Sequence, residues 1–224
     1  MGKKYIVFDF DGTLVNTNDI ITASWQATFE HYLGHRKPVR EIEATFGETL
    51  VYTVGRLIPD APVDEVIEYY RAYQDAHREE GIVHVFEGIN DLVEELRLRG
   101  YIIGIATSRT AYSLRNYLKQ LGMEEDIDEV VTMEDVTRHK PDPESLNVCL
   151  AKLTGCDANR IPEDVLRESI MIGDTKFDIG CANNAGVDSV LVGWSHYVDE
   201  EDMRAHDFAP TYRIEKPADL LSII

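Results

Sequence analysis

Short β-branched or apolar runs recur along this chain, at residues 5–8, 101–106, 130–132, 169–172 and 189–192, and most are followed by a stretch of helical periodicity. Ile89, Leu92, Val93 and Leu96 share one helical face, as do Leu114, Tyr117, Leu118 and Leu121; Leu146, Val148, Leu150 and Leu153 do so more loosely. Near-continuous apolar strands alternating with amphipathic helices predict an α/β fold, a parallel sheet covered on both faces. In such sheets ligands sit beyond the carboxyl ends of the strands, so the residues that follow each strand are where chemistry is to be sought.

One interval breaks the alternation. Between Val15 and about His84 no convincing strand is present; helical patterns cover 19–32, 49–57 and 63–78, punctuated by Pro38, Gly47, Pro59 and Pro62. An all-helical insert of about 70 residues predicts a lid mounted on the core, with 16–84 as the lid and 1–15 plus 85–224 as the α/β core. Near the end of the chain, 211–214 is a weak edge-strand candidate ahead of a short terminal helix.

A chain of 224 residues buries a substantial core as one domain with an insert. With 22 Lys+Arg against 41 Asp+Glu the net charge is -19, which argues against a nucleic-acid binder or a partner of acidic membranes. An anionic substrate must therefore be drawn by local positive charge or a metal. No segment approaches the roughly 18 apolar residues of a membrane span, and the apolar run after the basic start is too short for a signal peptide. Cys149, Cys156 and Cys181 match no zinc spacing and are expected to be buried reduced thiols. The expectation is a cytoplasmic protein, a monomer or homodimer.

The strands end in an unusual set of residues. The first gives Asp9-Phe10-Asp11-Gly12-Thr13, the second Thr107-Ser108-Arg109, and the fourth Gly173-Asp174 followed by Asp178; His139-Lys140-Pro141 lies between the last two. If the strands run the same way, Asp9, Asp11, Thr107, Asp174 and Asp178 converge at one sheet edge. Clustered carboxylates repel one another unless a cation neutralises them, and an all-oxygen set with few protein ligands suits Mg²⁺. Carboxylates, one metal, a lysine and a hydroxyl fit phosphoryl transfer to an aspartate, with Lys140 offsetting the charge on phosphorus and Thr107 holding its oxygens. Asp11, two residues from Asp9, is placed to protonate a leaving alkoxide and then deprotonate water. Gly12 allows the tight turn between them.

The string Asp9-Phe10-Asp11-Gly12-Thr13-Leu14-Val15, with Thr107, Lys140, Asp174 and Asp178 in order, resembles the haloacid dehalogenase superfamily over essentially the whole chain. Within it the likeness is to phosphatases with a helical cap inserted after the first motif. The resemblance implies a Rossmann-like core, with Asp9 as nucleophile and Asp11 as general acid/base. Thr107, Ser108, Arg109 and Gly12 would contact substrate and Lys140 would neutralise phosphate. Mg²⁺ would be held by Asp9, Asp174 and the Asp11 carbonyl, with Asp178 supporting Lys140 or the metal. Residues 16–25 and Phe86-Glu87-Gly88 are similar to the phosphoglycolate phosphatase and bacterial inorganic pyrophosphatase branches, so the expected substrate is a small phosphorylated metabolite or pyrophosphate.

The plain alternatives are specific. A calcium loop from Asp9 would need glycine and glutamate where Leu14 and Ile20 stand. Asp174 and Asp178 could merely decorate a helix start. Arg109, Arg138, His139 and Lys176 suit either an anion funnel or solvated surface. Trp25, Phe29 and Tyr32 read as cap core, while Glu48, Thr49 and Arg56 are candidates to face the site. A β-phosphoglucomutase-like phosphotransferase is disfavoured by Leu50 and Ile21, where the mutases carry arginine and histidine. A phosphonate-cleaving activity would need a cap lysine, and the only one is Lys37. A non-catalytic phosphate-binding regulator would be marked by loss of a motif residue, and none is lost. The segment 155–167 has no functional reading.

Overall fold

In a computed structural model, the structure is described for residues 2–77, 83–195, 200–205 and 208–224. Six strands form one sheet: β1 (Tyr5–Phe8), β4 (Ile102–Ala106), β5 (Glu129–Val131), β6 (Ser169–Gly173), β7 (Asp188–Val192) and β8 (Tyr212–Ile214), in the spatial order β5-β4-β1-β6-β7-β8, every pairing parallel. Counted by their order in the chain these are 3-2-1-4-5-6, the doubly wound arrangement, whose switch point lies between β1 and β6.

Period-two alternation sends successive side chains of β1 to opposite layers. Ile6 and Phe8 pack with Ile103, Ile105, Ile170 and Ile172 against α5 (Ile89–Leu98) and α6 (Ala111–Leu121). Tyr5 and Val7 face Leu146, Cys149 and Leu150 of α7 (Glu144–Thr154) and Cys181 and Ala182 of α9 (Lys176–Ala185). The segment 155–167 ends in α8 (Glu163–Arg167), and its Ile161, Val165 and Leu166 extend this second layer, a structural use for residues with no functional reading. A short α10 (Glu200–Ala205) sets Met203 against Ile179 and Leu191.

Four helices follow the first motif: α1 (Asn18–Leu33), α2 (Val39–Glu43), α3 (Leu50–Leu57) and α4 (Val63–Ala76). They enclose their own cluster, with Trp25, Phe29, Ile42, Val54, Val66 and Tyr70 buried. The five-residue α2 gives too little periodicity to be read from sequence, and Arg78, the expected end of the last helix, lies outside the described residues. The interval is not wholly free of strand. Val15–Asn16 (β2) pairs antiparallel with His84–Val85 (β3), tying the two connections of the helical insert into a ribbon, and the Phe86 amide donates to the Leu14 carbonyl at 3.1 Å. Two-residue strands carry no alternation, which is why they were not expected.

No helix among the described residues is long and apolar enough to cross a membrane. Cys149 and Cys181 are buried and unbridged as expected; Cys156 is free but only half-buried, because it follows the helix-ending Gly155 rather than a core face.

Candidate active site

Register brings the motif residues together. Phe8 pairs with both Ile105 and Ile172, so β1, β4 and β6 end level, and the Asp9 amide donates to the Ile172 carbonyl at 2.8 Å. Asp9, Thr107 and Asp174 each emerge within two residues of that common edge, beside the switch point. All three are buried. One oxygen each of Asp9, Asp174 and Asp178 lies within 4.8 Å of the others.

Lys140 Nζ sits between two of these carboxylates, 2.7 Å from Asp9 Oδ1 and 2.7 Å from Asp178 Oδ1. Burial alone would lower the ammonium pKa, but the charges of Asp178 and Asp9 overrule it and hold it above the ordinary lysine value. The lysine arrives from a loop fastened by Glu144, which accepts from the Thr137 and Arg138 amides at 3.0 Å each. Those backbone bonds, with the Arg138 guanidinium, bring the Glu144 carboxyl down to about 2. Arg138 is thus an exposed loop staple and does not line the cavity.

Asp178 does two things. Its Oδ2 accepts from the Thr175 amide at 3.0 Å and the Thr175 hydroxyl at 2.7 Å, a capping box for α9, while Oδ1 meets Lys140. The helix-capping reading of Asp178 is therefore realised, and the same side chain also contacts Lys140.

Asp174 accepts from Ser195 Oγ at 2.8 Å and from Thr13 Oγ1 at 3.3 Å, and Asn18 Nδ2 donates to Ser195 Oγ at 3.2 Å. Gly12, at φ 73°, passes so close that an added Cβ would lie 1.9 Å from Asp174 Oδ2. Both conformation and proximity require glycine there.

Asp11 is turned away from the acidic triad. Its Oδ2 accepts from Arg109 Nε at 2.9 Å and its Oδ1 from the same guanidinium's terminal nitrogen. Arg109 Nη1 also donates to Ser113 Oγ at 2.7 Å, and its guanidinium lies 4.8 Å from the Tyr117 ring centroid. Thr107 Oγ1 accepts from the Arg109 amide at 3.2 Å; Ser108 lines the cavity between them.

These residues open on a cavity of about 170 Å³ whose other wall is the helical insert: Trp25, Phe46, Glu48, Leu50, Tyr70 and Arg71 among others. Of the candidates from the insert, Glu48 lines the cavity, held by Arg56 at 2.9 Å and Thr53 at 2.7 Å, and Thr49 caps α3. Trp25 belongs to both the insert's core and the wall, whereas Phe29 and Tyr32 serve the core side alone. Lys37 pairs with Glu41 at 3.2 Å and does not line the cavity. Sequence reasoning did not single out Ser195, Tyr70, Arg71 or Gln74, which carry no motif and are ordinary polar or aromatic residues until the fold aims them.

On the strand-end side of the cavity, four carboxylates, Asp9, Asp11, Asp174 and Asp178, face two cations, Lys140 and Arg109. Burial, reinforced by the Asp178, Asp174 and Asp11 carboxylates, holds the Asp9 carboxyl well above the usual range despite Lys140. An uncompensated surplus of negative charge on oxygen donors is the environment a hard divalent cation fits. Asp9, Asp174 and Asp178 each offer an oxygen to such a cation, and of the three Asp178 also carries Lys140 and the start of α9.

The fold and site together define an α/β enzyme that gathers aspartates, a lysine and a threonine at its strand ends. The chain belongs to the haloacid dehalogenase-like hydrolase family, whose model matches residues 6–192. It is 34% identical to pyrophosphatase PpaX of Bacillus velezensis, over 97% of this chain and 94% of that protein. Among solved structures it is similar to a haloacid dehalogenase-like family hydrolase from Streptococcus pneumoniae (TM-score 0.79, 24% identity, covering 98% of this chain and 97% of the other). It is also similar to a predicted phosphoglycolate phosphatase from Haemophilus somnus (TM-score 0.78, 19% identity, 99% and 97% covered).

Proposed function

We propose that this hydrolase is a Mg²⁺-dependent phosphohydrolase that cleaves a small phosphate ester or pyrophosphate through a phosphorylated Asp9. The observation that carries the reading is Lys140 Nζ, 2.7 Å from Asp9 Oδ1 at the floor of a cavity that also holds Asp174 and Thr107. Mg²⁺ would be held by Asp9, Asp174 and the Asp11 carbonyl, and would supply positive charge that offsets the repulsion between an anionic nucleophile and an anionic phosphoryl group.

The chain's own residues do the rest. A carboxylate oxygen of Asp9 attacks phosphorus, forming an acyl–phosphate bond as the bond to the leaving oxygen breaks. Lys140 and the Thr107 hydroxyl take the charge of the non-bridging oxygens. Asp11 gives its proton to the leaving oxygen, then takes one from the water that attacks phosphorus, and the bond to Asp9 breaks to release phosphate. Residues 16–84 act as a cap that closes over the substrate, excludes bulk water and selects the leaving group. PpaX relatives at about one-third identity over nearly the whole chain support pyrophosphate as one substrate to try first.

The test is phosphate release from pyrophosphate, phosphoglycolate and a panel of sugar and nucleotide monophosphates, with Mg²⁺ or with chelator. Turnover should need Mg²⁺ and should vanish in Asp9→Asn while its circular dichroism stays native. Near-normal turnover by that variant would remove Asp9 as nucleophile. Including glucose phosphates as acceptors tests the phosphotransferase alternative, whose product would be a sugar bisphosphate rather than free phosphate.

A further inference from the structure

Among the described residues three cations line the cavity, and two are already committed: Lys140 to Asp9 and Asp178, Arg109 to Asp11. The third, Arg71, comes from α4 of the insert, is exposed, and makes no hydrogen bond or ion pair to another described residue. The acids of its own wall are provided for. Glu48 is clasped by Arg56 and Thr53, and Asp75 is also partnered.

Its position on the helix aims this charge at one part of the reaction. Tyr70, the preceding residue, is buried against Trp25 at 4.8 Å between ring centroids, and its phenol feels the charges of Arg109 and Asp11. Gln74 Nε2 donates to the Tyr70 hydroxyl at 3.0 Å, and residues 71 and 74, three apart, are neighbours on the helix surface. α4 therefore crosses the cavity on the side of Asp11, the group that protonates the leaving oxygen. The phosphoryl end of a substrate is served by Lys140, Thr107 and the metal. The leaving-group end lies toward a guanidinium that no other described residue neutralises, in a chain whose net charge of -19 otherwise repels anions.

We infer that Arg71 is the specificity-determining contact of this site, and that the substrate is a short phosphate compound whose leaving group carries an anionic group of its own, a second phosphate or a carboxylate. The inference rests on the phosphohydrolase reading above and names its substrate class.

The test compares the Mg²⁺-loaded wild type, Arg71→Ala and Arg71→Lys on pyrophosphate, on phosphoglycolate and on ethyl phosphate, whose leaving group is uncharged. Loss of a charge-assisted contact should raise KM for the preferred anionic substrate by roughly 10- to 100-fold in Arg71→Ala, with a much smaller loss on ethyl phosphate. Arg71→Lys should recover most of the difference, and the two anionic substrates identify which second group is read. Equal losses on charged and uncharged leaving groups, or none on either, would overturn the inference while leaving the phosphohydrolase reading intact. If the wild type turns over none of them, the broader reading fails, and binding decides the role of Arg71. Calorimetry with methylenediphosphonate and with inorganic phosphate, in Mg²⁺ and the Asp9→Asn background, should show Arg71→Ala weakening the diphosphonate roughly tenfold more than phosphate. Equal weakening of both, or of neither, overturns the assignment.

Discussion

The guanidinium of Arg109 closes on the carboxylate of Asp11 through two nitrogens, with Nε 2.9 Å from Oδ2. Burial disfavours the Arg109 charge, yet Asp11 holds its pKa above the ordinary arginine value, so the guanidinium stays charged and its place beside Asp11 is fixed. An aspartate three residues past a strand is otherwise free to swing; the clamp gives it one orientation.

Removing the clamp should therefore act through Asp11. Arg109→Ala is expected to lower kcat by about 10²-fold or more, the range of a general acid that has lost its place. Because the two side chains form a unit, Arg109→Ala combined with Asp11→Asn should be little worse than Asp11→Asn alone. A kcat cycle over the four proteins checks this; losses that multiply would mean that Arg109 works on substrate independently.

Lys140 is the reverse case, a cation whose removal strands two acids. Lys140→Ala leaves Asp9 and Asp178 buried without their partner, which should cost about 3–5 kcal/mol of stability in urea denaturation, besides orders of magnitude in turnover. Saturating Mg²⁺ should restore part of that stability, since it restores positive charge at Asp9. A variant as stable as wild type would show that the acids relax away from one another.

Ser195 donates to Asp174 at 2.8 Å and accepts from Asn18, the first residue of α1. Ser195→Ala should loosen the orientation of a carboxylate proposed above to hold Mg²⁺, and weaken Mg²⁺ by roughly 10-fold. The readout is the Mg²⁺ dependence of the melting temperature, alongside the Mg²⁺ dependence of turnover. An unchanged Mg²⁺ titration would make Ser195 a packing residue only.

Cys149 supplies a pH dependence away from the site. Burial pushes its thiol from an ordinary value near 9 up to about 12. In that interval the folded chain keeps a proton that the unfolded chain releases, so this contribution is complete below pH 9 and is lost as pH rises toward 12. The loss is about 1.4 kcal/mol per pH unit. Urea midpoints at pH 8 to 11 should fall more steeply for wild type than for Cys149→Ala; parallel curves would contradict it. At neutral pH the half-buried Cys156 should react with alkylating reagents well before Cys149 or Cys181.

How much of this was legible depended on the range of the interaction. Strands β1, β4, β6 and β7 could be placed from apolar runs, and the helices α1, α3, α5 and α6 from periodicity, because burial on a face imprints a local repeat. The ribbon between Val15–Asn16 and His84–Val85 could not, since two residues hold no repeat and their pairing spans the whole insert. Asp178 shows how one residue can satisfy two readings: the cap is local, within three residues, while the bond to Lys140 spans 38.

The sequence by itself determined the class of fold, the sheet edge that bears the chemistry, and the acids, lysine and threonine that gather there. Those follow from periodicity and from residue types whose charge demands company. Only the tertiary structure decided the pairings. It placed Arg109 on Asp11 rather than in open solvent, bound Ser195 to Asp174 and Asn18 to Ser195, and brought Arg71 of α4 to the cavity wall with no hydrogen-bond or ion-pair partner among the described residues. The physical reason is that a charged side chain's partner is chosen by distance in space, over separations of 98 and 21 residues in the first two cases, and no local pattern along the chain encodes that distance.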